Sequence, residues 1–450
     1  MFSKKYRSHY RANWSLAYPI VLSQFGHLAV LVADNLMVGR LGSSCLAASS
    51  LANNIYSILL LFGVGIASGI TPMVGKALGE GNHKLIRETY INGFVINLIT
   101  GFFILVVIFA TIPLFSHIGQ DPQVVELSKP LYILLGISMI PYMVFLQGKQ
   151  FIEGFGDTKP GMVITIICNL LNILLNFLLI YGLFGFPRLR LVGAGYAILI
   201  SRVLMALMIL VYVYRKKEYR YYIKIFSFRY IRWAYCFKIS KIGFPIGMQY
   251  VLEVGFFTLC GVMIGTFGSV SMAAYQIVIS LSALTFVMAS GVGQGAMIRV
   301  SQFFGQGDMQ SVREAGVSSQ YMVMLMMLCF SALFFTFRHI IPAFYISEPE
   351  VISLAAKFFL IVGVYQIFDG IQANISNSLR GLHDVKVPTI IVMLSYWVVA
   401  LGFSYLFAFY LKIGAVGVWY GMLIGLMCSA GLLSWRFIYL CGRLSSDKAV

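Results

Sequence analysis

The sequence predicts an all-α polytopic membrane protein, with twelve transmembrane helices in two pseudo-symmetric six-helix bundles. Composition is the first observation behind this. The 450 residues are 59% hydrophobic and 11% charged, with a mean hydropathy of +0.85, whereas a soluble domain carries roughly 25% charged residues. The second is the length of the apolar runs. Stretches such as 93–113, 162–181 and 321–337 approach the ~20 residues that cross a bilayer as a helix. The third is an internal repeat. Residues 78–88 read LGEGNHKLIRE, and 226 positions later residues 304–314 read FGQGDMQSVRE.

That shift carries Gly79, Gly81, Arg87 and Glu88 onto Gly305, Gly307, Arg313 and Glu314 without a gap. It also carries Pro19 onto Pro245, Met37 onto Met263, Gly65 onto Gly291 and Gly69 onto Gly295. Two like-oriented halves in a membrane chain point to a transporter whose halves rock about a central site.

The spans are expected near 14–37, 46–72, 90–113, 127–148, 159–181 and 191–214 in the first half. In the second half they fall near 240–264, 272–297, 316–340, 351–377, 387–411 and 415–440. All must be helical, because an open strand would leave backbone polar groups unpaired in lipid. The domains read as 1–214, a cytoplasmic connector 215–238, and 239–450. The connector, RKKEYRYYIKIFSFRYIRWAYCFK, interleaves basic and aromatic residues. It is expected to lie on anionic headgroups with Tyr and Trp at the interface. The two glycine-rich loops lack the Lys-Ser/Thr pair of a P-loop and read as tight turns.

Lys and Arg set the orientation. With both termini cytoplasmic, the inside segments hold 25 and the outside segments 7, with Arg202 inside a helix completing the 33. This asymmetry places both termini in the cytoplasm of a multi-pass plasma-membrane protein. The net charge of +17 therefore reflects topology, not a nucleic-acid partner. The first apolar segment has no small-residue cleavage site and reads as a retained helix. Seven cysteines without a CxxC pair read as buried small hydrophobes. No HExxH, GxSxG or clustered His-Asp set appears, so no catalytic residues, enzyme activity or cofactor are expected.

Three of the sixteen acids fall well inside predicted helices: Asp34, Glu253 and Asp369. An acid at the helix centre costs ~2.5–3.5 kcal/mol, so such residues face a cavity or a partner. Glu253 sits one turn after Gln249. In the tenth span Gln366, Asp369, Gln372 and Ser376 share a face, with Asn374 and Asn377 beside it. Two acids on two helices of one half can share a cation or a proton. In the fifth span Asn169, Asn172 and Asn176 line one face and can offer oxygens to a hard cation such as Na⁺, with Asp34 as the anion. Na⁺ thus has candidate sites at Glu253 and Asp369, and at Asp34, Asn172 and Asn176. Arg202 either pairs with Asp34 or reaches inward. His27 occupies the repeat position of Glu253 and reads as an interior histidine or a titratable cavity group. Pro19 and Pro245 each remove a backbone hydrogen bond from the first helix of a half and permit bending. Cavity candidates are Gln249, Tyr250, Phe257, Tyr275, Gln276, Gln366 and Gln372. Adaptable Met and aromatic surfaces suit hydrophobic cations.

The ordered set of these segments resembles the multidrug and toxic compound extrusion (MATE) transporters, most closely their NorM-type branch. The resemblance rests on 79–88 and 305–314, on Pro245 to Glu253, and on FDGIQANISNSLRG at 368–381. It rests also on EGFGDTKP at 153–160 with RGLHDVKVP at 380–388. It spans nearly the whole chain. It implies two six-helix bundles in a V, and export of amphipathic, often cationic drugs driven by inward Na⁺ or H⁺. It implies cation-site roles for Glu253 and Asp369, and for Asp34, Asn172 and Asn176. Some relatives carry an acid where this chain has Asn176, so the second-half pair is expected to be the main coupling site. The partners expected are small organic cations and the bilayer, with a monomer as the working unit. The alternative is a flippase for a lipid-linked saccharide, whose cavity would be cationic; here Arg202 is the single basic exception among the interior charges.

Overall fold

A computed structural model of the protein describes residues 4–117, 119, 121–223 and 230–446. Residues 224–229 of the predicted connector, and Lys448 of the predicted cytoplasmic terminus, lie outside the described residues. Among the described residues, twelve helices are long and apolar enough to cross a membrane. They are α1 (Ser8–Gly39), α2 (Ser43–Gly79), α3 (His83–Phe115), α4 (Pro122–Gly154), α5 (Lys159–Tyr181) and α6 (Arg190–Arg215). The second six are α7 (Trp233–Gly265), α8 (Ser269–Gln306), α9 (Met309–Phe337), α10 (Pro349–Gly381), α11 (Lys386–Tyr410) and α12 (Ala415–Leu444). Every expected span is present, and most run several residues further at one or both ends. The apolar stretch marks the hydrocarbon crossing, whereas helical hydrogen bonding continues into the polar layer.

That extension corrects the count of acids inside helices. Glu88 lies in α3 and Glu153 in α4, and both are buried. Each has a cation near it: Arg232 at 3.3 Å from Glu88, and Lys149 at 3.8 Å from Glu153.

The chain divides into two compact units. One is Leu22–Gly247, here the N unit; the other is Met248–Val450 with Met1–Val21, here the C unit. The division does not fall at the connector, where the sequence suggested it. It falls inside α1 and α7, two residues past Pro19 and Pro245. The two cuts are themselves related by the repeat shift of 226. The beginning of each repeat's first helix therefore belongs to the unit built by the other repeat.

Small residues explain how those half-helices seat. In the N unit the start of α7 crosses α2. A Cβ built on Gly65 would lie 2.3 Å from Cα of Gly247, and one on Gly243 would lie 2.6 Å from the carbonyl oxygen of Ile66. In the C unit the start of α1 crosses α8. A Cβ on Gly291 would lie 2.4 Å from Cγ2 of Val21, and one on Gly295 would lie 3.2 Å from the backbone nitrogen of Ala17. Small residues four apart let membrane helices approach backbone to backbone. The start of α1 is also fixed by polar contacts. Asn13 Nδ2 donates to the carbonyl of Ala315 (3.3 Å) and to Ser318 Oγ (3.1 Å), and Arg299 Nη1 donates to Asn13 Oδ1 (2.7 Å).

Each unit is organised about the fourth helix of its repeat. In the N unit α4 packs on α2, α3 and α6; in the C unit α10 packs on α8, α9 and α12. The glycine-rich loops are tight turns, as expected. Gly81 and Gly307 take positive φ (66° and 79°). The next residues, Asn82 and Asp308, cap the following helices by accepting from Leu85 and Ser311 backbone N–H, both at 3.0 Å.

The connector differs from expectation. Its first part forms a short helix, Lys217–Ile223, with Tyr219 and Tyr222 buried. Their rings pack on Phe155 at 5.0 and 5.7 Å, so this stretch docks on the bundle instead of lying wholly on headgroups. Tyr221 and Trp233 do remain exposed. The dock is fastened by Asp157, whose Oδ2 accepts from Lys216 Nζ (2.7 Å), Tyr212 OH (2.8 Å) and Tyr219 OH (2.9 Å). The repeat-related loop acid Asp384 is held likewise by Arg436 Nε at 2.8 Å.

Burial alone would raise the Asp157 carboxyl, but the three hydrogen bonds and the Lys216 charge together hold it below its ordinary 3.8. A depressed carboxyl contributes stability that is present above its unfolded value and is lost as pH falls through its folded value. Hydrogen exchange of 217–223 is therefore expected to accelerate only below about pH 4 in wild type. It is expected to be fast at neutral pH in Asp157→Asn. Equal exchange in both proteins at pH 7 would remove Asp157 as the fastening.

Candidate functional site in the C unit

Glu253 on α7 and Asp369 on α10 are both buried. Gln249 Nε2 (2.9 Å) and Gln372 Nε2 (3.1 Å) both donate to Glu253 Oε1. Gln249 Oε1 in turn accepts from Arg380 Nη2 at 3.1 Å. Arginine only donates, which fixes the direction of the Gln249 amide: oxygen towards Arg380, nitrogen towards the carboxylate. Arg380 Nη1 also donates to Tyr250 OH (2.8 Å) and Asn377 Oδ1 (3.2 Å). These residues wall a pocket of about 10 Å³ together with Glu253 and Gln372, the room of roughly one water-sized group.

Asp369 has no hydrogen-bond donor among the described residues. It lies within electrostatic reach of Glu253, Tyr365 and Tyr396. On the same helix both amide atoms of Gln366, Gln372 Oε1 and Ser376 Oγ are buried and unpartnered. A π-helical stretch of α11, Ser395–Ala400, presents Tyr396 and Trp397 to α7. Tyr396 stacks on Phe256 at 4.7 Å, and Trp397 Nε1 donates to the Leu252 carbonyl at 3.2 Å. Of the other cavity candidates, Phe257 packs against Tyr396 at 6.1 Å. Tyr275 is buried, with its OH donating to the Phe257 carbonyl (2.8 Å), and Gln276 is exposed. These three do not wall the pocket, and neither do Gln366 and Asp369.

Sequence reasoning missed Arg380, counting it as a cytoplasmic loop charge. It is buried in the last turn of α10. Its spacing carried the signal: Arg380 follows Ser376 by four and Asp369 by eleven, which is the same helical face. With Lys149 and Arg299 also inside helices, Arg202 is not the single interior cation.

In the N unit Asn176 Nδ2 donates to Asp34 Oδ1 and to Asn172 Oδ1, the latter at 3.1 Å. These three residues are thus brought together. Asn169 faces Gly26 instead, and its Nδ2 is unpartnered. Arg202 does not meet Asp34. Its Nη1 donates to Tyr56 OH and to Ser138 Oγ (2.7 Å), and its guanidinium lies over the Tyr142 ring at 4.6 Å. His27 lies within electrostatic reach of Lys149 and Arg202.

The MatE family profile matches residues 19–178 and again 245–406. The chain belongs to the MatE family. The second MatE match begins 226 residues after the first, the same shift seen in the sequence. A protein from Rhizobium meliloti (strain 1021) called "Probable multidrug resistance protein NorM" is 31% identical over 447 residues, covering 98% of this chain and 96% of its own. A solved MATE in a bent conformation superposes with a TM-score of 0.90 at 19% identity, with all of both chains covered. A MOP superfamily transporter from Pyrococcus furiosus superposes with a TM-score of 0.87 at 20% identity, with 97% of both chains covered. The two MatE matches enclose Asp34, Asn172 and Asn176 in one case and Glu253 and Asp369 in the other.

Proposed function

We propose that this MatE protein exports amphipathic, often cationic, organic compounds in exchange for an inward cation, H⁺ or Na⁺, by alternating access. The observation that carries the reading is the C-unit pocket. A buried carboxylate held by two amide donors shares this pocket with Gln372 Oε1 and Ser376 Oγ, which no protein group satisfies, and a second buried acid, Asp369, lies within electrostatic reach of it. An unsatisfied buried polar group costs about 1–3 kcal/mol, so this face favours a polar or ionic occupant. Inward movement of each unit charge contributes about 2.3 kcal/mol per 100 mV of membrane potential. The "multidrug resistance" in the name of the Rhizobium relative supports drug export. The excess of Lys and Arg in alternate loops supports cytoplasmic termini in the plasma membrane.

The test is efflux of a cationic dye from proteoliposomes under an imposed pH gradient or an imposed Na⁺ gradient. Wild type is expected to respond to one of them, which names the ion. Dye retention under both gradients, with transfer of a lipid-linked saccharide between leaflets, would replace export with the flippase reading.

A further inference from the structure

Arg202 stands midway along α6, at a depth where a charge is costly and its partner is the first question. Among the described residues no acid of the N unit pairs with it, and the acids on or next to its helices are held elsewhere. Asp34 is engaged by Asn176, Glu88 by Arg232, Glu153 by Lys149 and Asp157 by Lys216. The groups that do meet Arg202 are neutral: two tyrosines and a serine, all buried. Both of its hydrogen bonds leave from Nη1. Nε and Nη2, the side-on pair of the guanidinium, meet no acceptor among the described residues, and neither is sealed in the interior. That pair is the edge that matches the two oxygens of a carboxylate. The Tyr142 and Tyr56 rings, with centroids 4.6 and 5.3 Å from the guanidinium carbon, and the two Nη1 bonds restrain the plane of the group and so orient the edge in advance.

We propose that Arg202 is an anion-recognition residue, whose free edge takes the carboxylate of a zwitterionic amphipathic substrate. The inference rests on the export reading and adds a substrate class to it: compounds that carry an acid group as well as a cationic one.

The test uses two probes that differ only in that group, a rhodamine with a free carboxylate and its methyl ester. In Arg202→Gln the KM for export of the free acid is expected to rise about tenfold or more, the loss of one charged hydrogen-bonded pair. The KM for the ester is expected to change little, which also shows that the variant is folded. Arg202→Lys, a charge without the fork, is expected to fall between the two. Loss of both dyes alike, or of neither, would overturn the assignment. In wild type, an aromatic carboxylate is expected to compete with the free acid and its amide is not; equal competition by both would also overturn it. An effect of replacing chloride by sulfate on both dyes, seen in wild type and absent in Arg202→Gln, would assign the edge to an inorganic anion instead. If wild type moves neither dye, it is the export reading that fails.

Discussion

Glu253→Gln is expected to reduce ion-driven export to the leak rate while leaving the protein folded. The substitution keeps the shape of the side chain and one carbonyl-type oxygen, so Gln249 and Gln372 retain an acceptor at the Oε1 position. It removes the charge that the proposed exchange assigns to cation binding. Breaking a buried charge pair by deleting one member costs about 3–5 kcal/mol, or roughly two to three and a half orders of magnitude in affinity for the ion. Asp369→Asn is expected to act in the same direction, because it removes the second carboxylate within reach of the first. Binding of a cationic dye, followed by fluorescence anisotropy in detergent, separates coupling from folding. A variant that binds dye but no longer responds to either gradient has lost the coupling site alone. Gradient-driven export at the wild-type rate in both variants would move the coupling to Asp34, Asn172 and Asn176, whose contacts form a separate cluster.

The second large effect is expected at Gly65. A methyl group there would fall 2.3 Å from Cα and 2.4 Å from the backbone nitrogen of Gly247, and backbone cannot rotate away as a side chain can. The start of α7 must lift off α2, at the 1–3 kcal/mol or more typical of overpacking. Gly65→Ala is therefore expected to lower the melting temperature in detergent clearly. Gly291→Ala is expected to do so less, because the nearest atom it meets is a side-chain methyl of Val21. Gly431→Ala serves as the control. Nothing lies within 4 Å of its new methyl, and Ala in place of a helical Gly adds roughly 0.5–1 kcal/mol of stability. Equal melting temperatures for Gly65→Ala and Gly431→Ala would mean that the crossing is not a tight one.

Much of the architecture was legible before any coordinates. Hydropathy located all twelve spans, and the 226-residue shift exposed the duplication. The limits of that reading have physical causes. Hydropathy reports lipid contact, so it stops short of helix ends; Glu88, Glu153 and Arg380 were assigned to loops for that reason. Periodicity finds residues on one face, and it found Gln372 beside Asp369. It says nothing about which helix that face meets, so the Gln249–Arg380 bond between α7 and α10 was invisible. Arg202 shows the same limit. Its type and depth marked it as unusual, whereas its neighbours Tyr56, Ser138 and Tyr142 come from two other helices. The repeat included Gly65 and Gly69 from the start, but their reason lies in Gly243 and Gly247, far along the chain.

The two opening half-helices carry a consequence for the gene as well as the fold. Suppose the chain is severed within 224–229. The first fragment keeps nearly all of the N unit but begins with a residual 1–21 that belongs to the other unit, and the second fragment retains 230–247, which completes the first. Neither product owns a whole bundle, so each alone is expected to be degraded, and co-expression is expected to restore both. The arrangement is that of a swapped dimer whose protomers have been joined into one polypeptide. A half-length chain with this repeat would complete its bundle only by exchanging the start of its first helix with a second copy.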